Sequence, residues 1–160
     1  MALRPLLAAS LLLASVLAAG CGSPGEPLPP EWKGRDLREP GWANGTLQTG
    51  WTMGLEYSWP SGRSVQWDWL TTDGKILYFQ VVRMENGQPQ AMVGQHRDNS
   101  TGRITTPVSG AYQLLFRNEG FSDAALWYKV PEGYARRLYP PGEAPSCFLL
   151  LDGGARSAAC

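Results

Sequence analysis

Trp51-Thr52-Met53-Gly54-Leu55-Glu56-Tyr57-Ser58-Trp59 alternates a large apolar residue with a small or polar one, and Pro60-Ser61-Gly62 ends the run. Successive side chains of an extended chain point to opposite faces, so this stretch predicts a strand with one face against a core. A helix would instead repeat its apolar positions every three or four residues. Downstream, Val65, Trp67 and Trp69 alternate with Gln66 and Asp68 in the same way. Asp73-Gly74 then predicts a tight hairpin, because both residues tolerate positive φ. Ile76 to Met84 is apolar at odd and even positions alike, as expected of a central strand covered on both sides. Asn86-Gly87 is a second hairpin signal, and Gln90 to His96 is a more polar strand suited to a sheet edge.

The pattern continues towards the C-terminus. Asp98-Asn99-Ser100-Thr101-Gly102 reads as a loop, and Arg103 to Thr106 as a short strand stopped by Pro107. Tyr112, Leu114 and Phe116 alternate in the next strand, Asn118-Glu119-Gly120 turns the chain, and Ala125 to Val130 is the last clear strand. About seven to eight short strands with turn chemistry between them predict an all-β fold, an antiparallel β-sandwich. Any helix is expected to be a single turn near Phe121–Asp123. Composition agrees: 19 glycines and 13 prolines among 160 residues favour turns, and 43% hydrophobic content allows a core. Fourteen basic residues balance fourteen acidic ones, which leaves no polycationic footprint and argues against a nucleic-acid partner.

Gly102-Arg103-Ile104-Thr105-Thr106-Pro107-Val108-Ser109-Gly110-Ala111-Tyr112-Gln113-Leu114-Leu115-Phe116-Arg117-Asn118 resembles the second half of GOLD-type (Golgi-dynamics) β-sandwich domains. Ala125-Leu126-Trp127-Tyr128-Lys129-Val130, with Gly133-Tyr134 after it, continues that resemblance. It covers roughly residues 48–134 and implies a β-sandwich with a non-catalytic binding habit. The eukaryotic members carry a coiled coil and a C-terminal membrane span. Here neither pattern is present, so the resemblance does not extend to a cargo-receptor role.

The N-terminus reads as a targeting segment. Arg4 precedes an unbroken run of Leu, Ala, Val and Ser from Leu6 to Ala19, shorter than the roughly 20 apolar residues a membrane span requires. The run closes on Leu17-Ala18-Ala19-Gly20-Cys21, which resembles a bacterial lipoprotein signal with its lipobox. That resemblance implies cleavage before Cys21, a diacylglycerol thioether on its sulfur, and attachment to a membrane of the bacterial cell envelope. Two acyl chains suffice for stable anchoring where one does not. Gly22, in place of an aspartate, points to the periplasmic side of the outer membrane if the host is Gram-negative. Ordinary secretory cleavage is the alternative, since Ala18 and Gly20 also fit an A-x-A-like site.

Gly22 to Gly41 contains five prolines and four glycines and no apolar period, which predicts a disordered, extended tether. The expected organisation is a signal over 1–20, a lipidated cysteine and tether over 21–47, the sandwich over 48–135 and a C-terminal extension over 136–160. Cys147 and Cys160 remain once Cys21 is lipidated, and in an oxidising compartment this pair is expected to form a disulfide that pins the extension.

Chemistry-bearing motifs are sparse. His96 is the single histidine, in a polar stretch, and is expected at the surface. Glu56 and Asp68 lie on different predicted strands, opposite the tryptophans; a glycosidase would need them about 5–10 Å apart. No phosphate loop, dinucleotide fingerprint, zinc motif or calcium loop is present, so neither a cofactor nor a metal is expected. The sequons at Asn44 and Asn99 are expected to be chance. Seven tryptophans exceed what one small core needs, and Trp32, Trp42 and Trp59 are the candidate ligand-binding rings. The sequence therefore predicts a lipid-anchored, non-catalytic envelope module that binds a protein or ligand. A carbohydrate-binding module using exposed tryptophans is the alternative, and an envelope hydrolase using His96 or the Glu56–Asp68 pair the remote one.

Overall fold

The computed structural model describes residues 31–144, 148–150 and 157–159. The expected signal, Cys21, Cys147 and Cys160 lie outside the described residues. The strands are β1 (Glu31–Trp32), β2 (Arg35–Asp36), β3 (Trp42–Leu47), β4 (Thr52–Trp59), β5 (Ser64–Thr71), β6 (Leu77–Glu85) and β7 (Gln88–Arg97). They continue as β8 (Asn99–Thr105), β9 (Gly110–Arg117), β10 (Ala124–Lys129), β11 (Ala135–Tyr139), β12 (Phe148–Leu150) and β13 (Ser157–Ala159). Two antiparallel sheets form the body, in the orders β3-β10-β5-β8 and β11-β4-β9-β6-β7. From β3 to β10 every connection but one crosses between sheets, which is the winding of a double-sheet jelly roll, with β11 added at one edge. The expected all-β antiparallel sandwich is the observed fold.

The alternation in β4 sends Met53, Leu55, Tyr57 and Trp59 inward, each 5% exposed or less. They meet Trp67 and Trp69 of β5, Phe79 of β6 and Phe116 of β9 in one core. Trp69 and Phe116 pack edge to face at 5.8 Å, an arrangement aromatic rings favour. Strand β6 runs between β9 and β7 and is buried on both faces, as its two-sided apolar pattern requires. The β6–β7 hairpin turns at Asn86-Gly87, with φ of 52° and 78°, the left-handed conformation these two residues tolerate best.

Connections at the two ends are locked by side chains. At one end Thr106, 1% exposed, accepts from the Arg63 amide and donates to the Pro60 carbonyl, joining the β4–β5 and β8–β9 turns. At the other end Asn118, fully buried, donates to the carbonyls of Leu47 and Ser122 and accepts from the Gly120 amide.

Four expectations are corrected. Asp73-Gly74 does not close a hairpin: β5 and β6 lie in different sheets, and Asp73 instead accepts from the amides of Lys75 and Ala125. Residues 99–102 are not a loop but the start of β8, because the chain passes from one sheet to the other at Asp98 alone. Phe121–Asp123 forms no helical turn. The sheet also extends past both expected boundaries, since β3 pairs along its whole length with β10, and β11 pairs with β4.

The second half of the expected tether is therefore structured. Strands β1 and β2 form a two-stranded flap over the outer face of the four-stranded sheet. Arg35 donates from Nε to Asp68 at 2.6 Å and from Nη2 to Thr101 at 2.8 Å, Lys33 pairs with Asp98, and Leu37 is 6% exposed. Asp36 is held down to about 2 by hydrogen bonds from Arg38, which stiffens the turn out of the flap.

Candidate functional site

The outer face of the four-stranded sheet carries a polar row from three neighbouring strands. Register sets Gln66 beside Arg103, and Asp68 between Thr101 and Lys129. Beyond the flap this row opens into a groove of about 920 Å³, which Arg63, Ser64, Val130 and Pro131 also line. Trp67 and Gly102, paired across β5 and β8, also line it, with the Trp67 ring itself in the core. They fit because Gly102 has no side chain: a Cβ there would stand 2.2 Å from the Trp67 ring. The indole Nε1 donates to Ser100 Oγ at 3.3 Å, so the ring is fixed in place.

The groove is electropositive. Three cations line it: Arg63, Arg103 and Lys129. Its one carboxylate, Asp68, accepts hydrogen bonds from both Arg35 and Thr101, so its charge is already matched. Lys129 reaches Glu39 at 3.1 Å, with both side chains largely in solvent, a contact of small energetic value. The Arg63 guanidinium lies 5.8 Å from the Trp59 ring centroid, and the Thr106 lock fixes the backbone beneath it.

The three candidate tryptophans are not brought together. Trp59 is 2% exposed and stacks on Tyr57 at 4.2 Å inside the core, so it offers no face to a ligand. Its inward position follows from the same alternation that defines β4. Trp32 sits half buried in the flap with its Nε1 buried and unpartnered among the described residues. Trp42 is half buried on the edge strand β3, where register sets it opposite Lys129 at the rim of the groove.

His96 is exposed, as expected. Its Nε2 lies 3.0 Å from Glu119, and its ring packs on Tyr78 at 4.5 Å. Glu56 and Asp68 stand on the outer faces of different sheets, with the core between them, so they cannot flank one bond. Glu56 is instead the centre of a structural cluster. It accepts from the Tyr139 hydroxyl at 2.7 Å and from Gln113, and Arg137 lies 3.4 Å away. Burial, followed by the bond to Glu56, pushes the Tyr139 phenol up to about 12. Among the described residues no group of three or more His, Cys, Asp or Glu could hold a metal ion, and no helix is long and apolar enough to cross a membrane.

The groove cations were not legible as a set in the sequence. Arg63, Arg103 and Lys129 come from three separated segments, and only the sheet order β10-β5-β8 makes them neighbours. No family model matches the chain, and no curated protein matches it in sequence.

Proposed function

We propose that this chain is a lipid-anchored, non-catalytic binding module of the bacterial cell envelope, whose groove takes an acidic segment of another envelope protein. The lipobox-like Leu17-Ala18-Ala19-Gly20-Cys21 supports the anchor, with the lipid on Cys21 holding the protein to a membrane. Packing of the flap leaves at most residues 22–30 as spacer, roughly 28 Å when extended at about 3.1 Å per residue. The head would then stand close to the headgroups, on the periplasmic side of the outer membrane in a Gram-negative host. The GOLD-type resemblance points in the same direction, towards binding without catalysis.

One observation carries the choice of ligand: three cations line the groove, and its single carboxylate is already matched by Arg35. An acidic peptide would gain charge-assisted hydrogen bonds there, and the association would weaken with salt. The test is a titration of the mature protein with poly-glutamate and with neutral envelope glycan, followed by tryptophan fluorescence. Saturable, salt-sensitive binding of poly-glutamate, weakened at least tenfold by Arg103→Glu, supports the proposal. No binding, or binding unchanged by Arg103→Glu, refutes it. Trp42 at the groove rim favours the carbohydrate alternative. Glycan binding lost in Trp42→Ala and retained in Arg103→Glu would establish that reading instead.

A further inference from the structure

On the opposite side of the molecule, the middle of the outer face of the five-stranded sheet is buried where an outer face should be wet, while Arg137 and Gly94 at its two edges are exposed. One cross-strand row runs Arg137, Gly54, Leu115, Gln80, Gly94 across all five strands. The glycines that flank its centre contribute no side chains. The Tyr139 ring leans over Gly54, and the Tyr78 hydroxyl over Gly94, so the two tyrosines wall a trough. Its floor, Leu115 and Gln80, is 0% exposed, and Val82 in the next row is 1% exposed. Both Nε2 and Oε1 of Gln80 are buried, and neither has a hydrogen-bond partner among the described residues. Buried amides are almost always paired, and an amide that presents a donor and an acceptor side by side matches a peptide backbone.

We propose that this trough is the seat of the chain's own C-terminal segment, residues 145–160, with the Gln80 amide as its polar anchor. Three observations select that occupant. The chain leaves the body from β11, the edge strand of this same sheet. Beyond Tyr139 it turns at Pro140, where the Glu143 amide donates to the Pro140 carbonyl. The segment that follows carries the run Phe148-Leu149-Leu150-Leu151, whose composition suits the floor, and pairs β12 with β13 into a short two-stranded ribbon. The N-terminal segment is led elsewhere: Arg35 ties the flap to Asp68, on the far side of the sandwich.

The test places a diazirine-bearing aliphatic residue at position 115 of the full mature protein and maps the photoproducts by mass spectrometry. Adducts concentrated in residues 145–160 are the expected result. Adducts in residues 22–30, adducts between two chains, or reaction with water alone would each overturn the proposal. A second variant ends the chain after Ala144. It is expected to bind a hydrophobic dye that the full chain ignores, and equal dye binding by both chains also overturns the proposal. Should the shortened chain fail to fold, the crosslink map of the full chain decides by itself.

Discussion

Replacing Asn118 with alanine should destabilise the sandwich more than any other single polar substitution outside the groove. The side chain holds three backbone groups at the crowded end of the two sheets: the carbonyls of Leu47 at 2.8 Å and Ser122 at 2.9 Å, and the Gly120 amide at 3.0 Å. The bond to Leu47 is buried, so losing it strands a carbonyl that water cannot reach. That costs about 1–3 kcal/mol, while the two part-buried groups lose about 0.5–1 kcal/mol each. The backbone bonds of Asn118 to Gly50 and Trp51 survive, so the expected loss is about 2–5 kcal/mol rather than complete unfolding. At about 4 °C per kcal/mol, the melting temperature should fall by roughly 8–20 °C. Asn118→Asp sharpens the test. It sets an acceptor against two carbonyl oxygens, so it should be worse than alanine at neutral pH and should recover as acid supplies the missing donor. Urea unfolding followed by tryptophan fluorescence measures both variants. A loss below about 0.5 kcal/mol for Asn118→Ala, or an aspartate variant as stable as alanine at neutral pH, would refute the reasoning.

Gly102→Ala forces a methyl group against Trp67, a ring only 4% exposed with nowhere to swing. A loss of about 1–3 kcal/mol or more is expected in thermal denaturation, together with a changed indole signal. Asp36 and Asp98 both titrate below their usual range, Asp36 through hydrogen bonds from Arg38 and Asp98 through the bond from Lys33. Both contributions are present above the ordinary aspartate pKa of about 4 and are lost below it, that of Asp36 as pH falls through about 2. Amide exchange over residues 31–38, corrected for its intrinsic pH dependence, should therefore lose protection between pH 4 and 2 while β9 stays protected. Tyr139 titrates at about 12, so its contribution is complete below pH 10 and is lost as pH rises through 12. Tyr139→Phe should remove one tyrosine from the late-ionising class in a phenolate absorbance titration. Register pairs Phe148 with Ala159, and Cys147 and Cys160 are the next residues in sequence on either side. Thiol titration of the unreduced, denatured mature protein should find no free thiol, and two would contradict the disulfide.

The fold was legible wherever apolar alternation was strong. Met53 to Trp59, the two-sided run of β6 and the polar edge β7 all occupy the positions their patterns demand. What stayed hidden was pairing set by tertiary contacts. Asn99-Ser100-Thr101-Gly102 has poor strand propensity and reads as loop, yet it forms β8 because Trp67 needs both the bare backbone of Gly102 and the Ser100 hydroxyl. Proline and glycine around residues 31–41 suggested a tether, but Arg35 and Leu37 attach that segment to the sheet. Asp73-Gly74 gave the right backbone geometry, with Gly74 at φ 70°, and the wrong partner strand, since local sequence does not record which sheet the chain enters next. The same limit hid the groove. Its three cations become neighbours only through strand order, whereas the inward face of Trp59 followed from counting.

Anchoring of this module through Cys21 is tested most directly by the intact mass of protein extracted from the membrane of the producing cell, beside a Cys21→Ala variant. Lipidation predicts loss of residues 1–20 and a gain equal to a diacylglycerol group on the Cys21 sulfur, both abolished by the substitution. A protein found in the soluble fraction, cleaved but carrying no added mass, would contradict it.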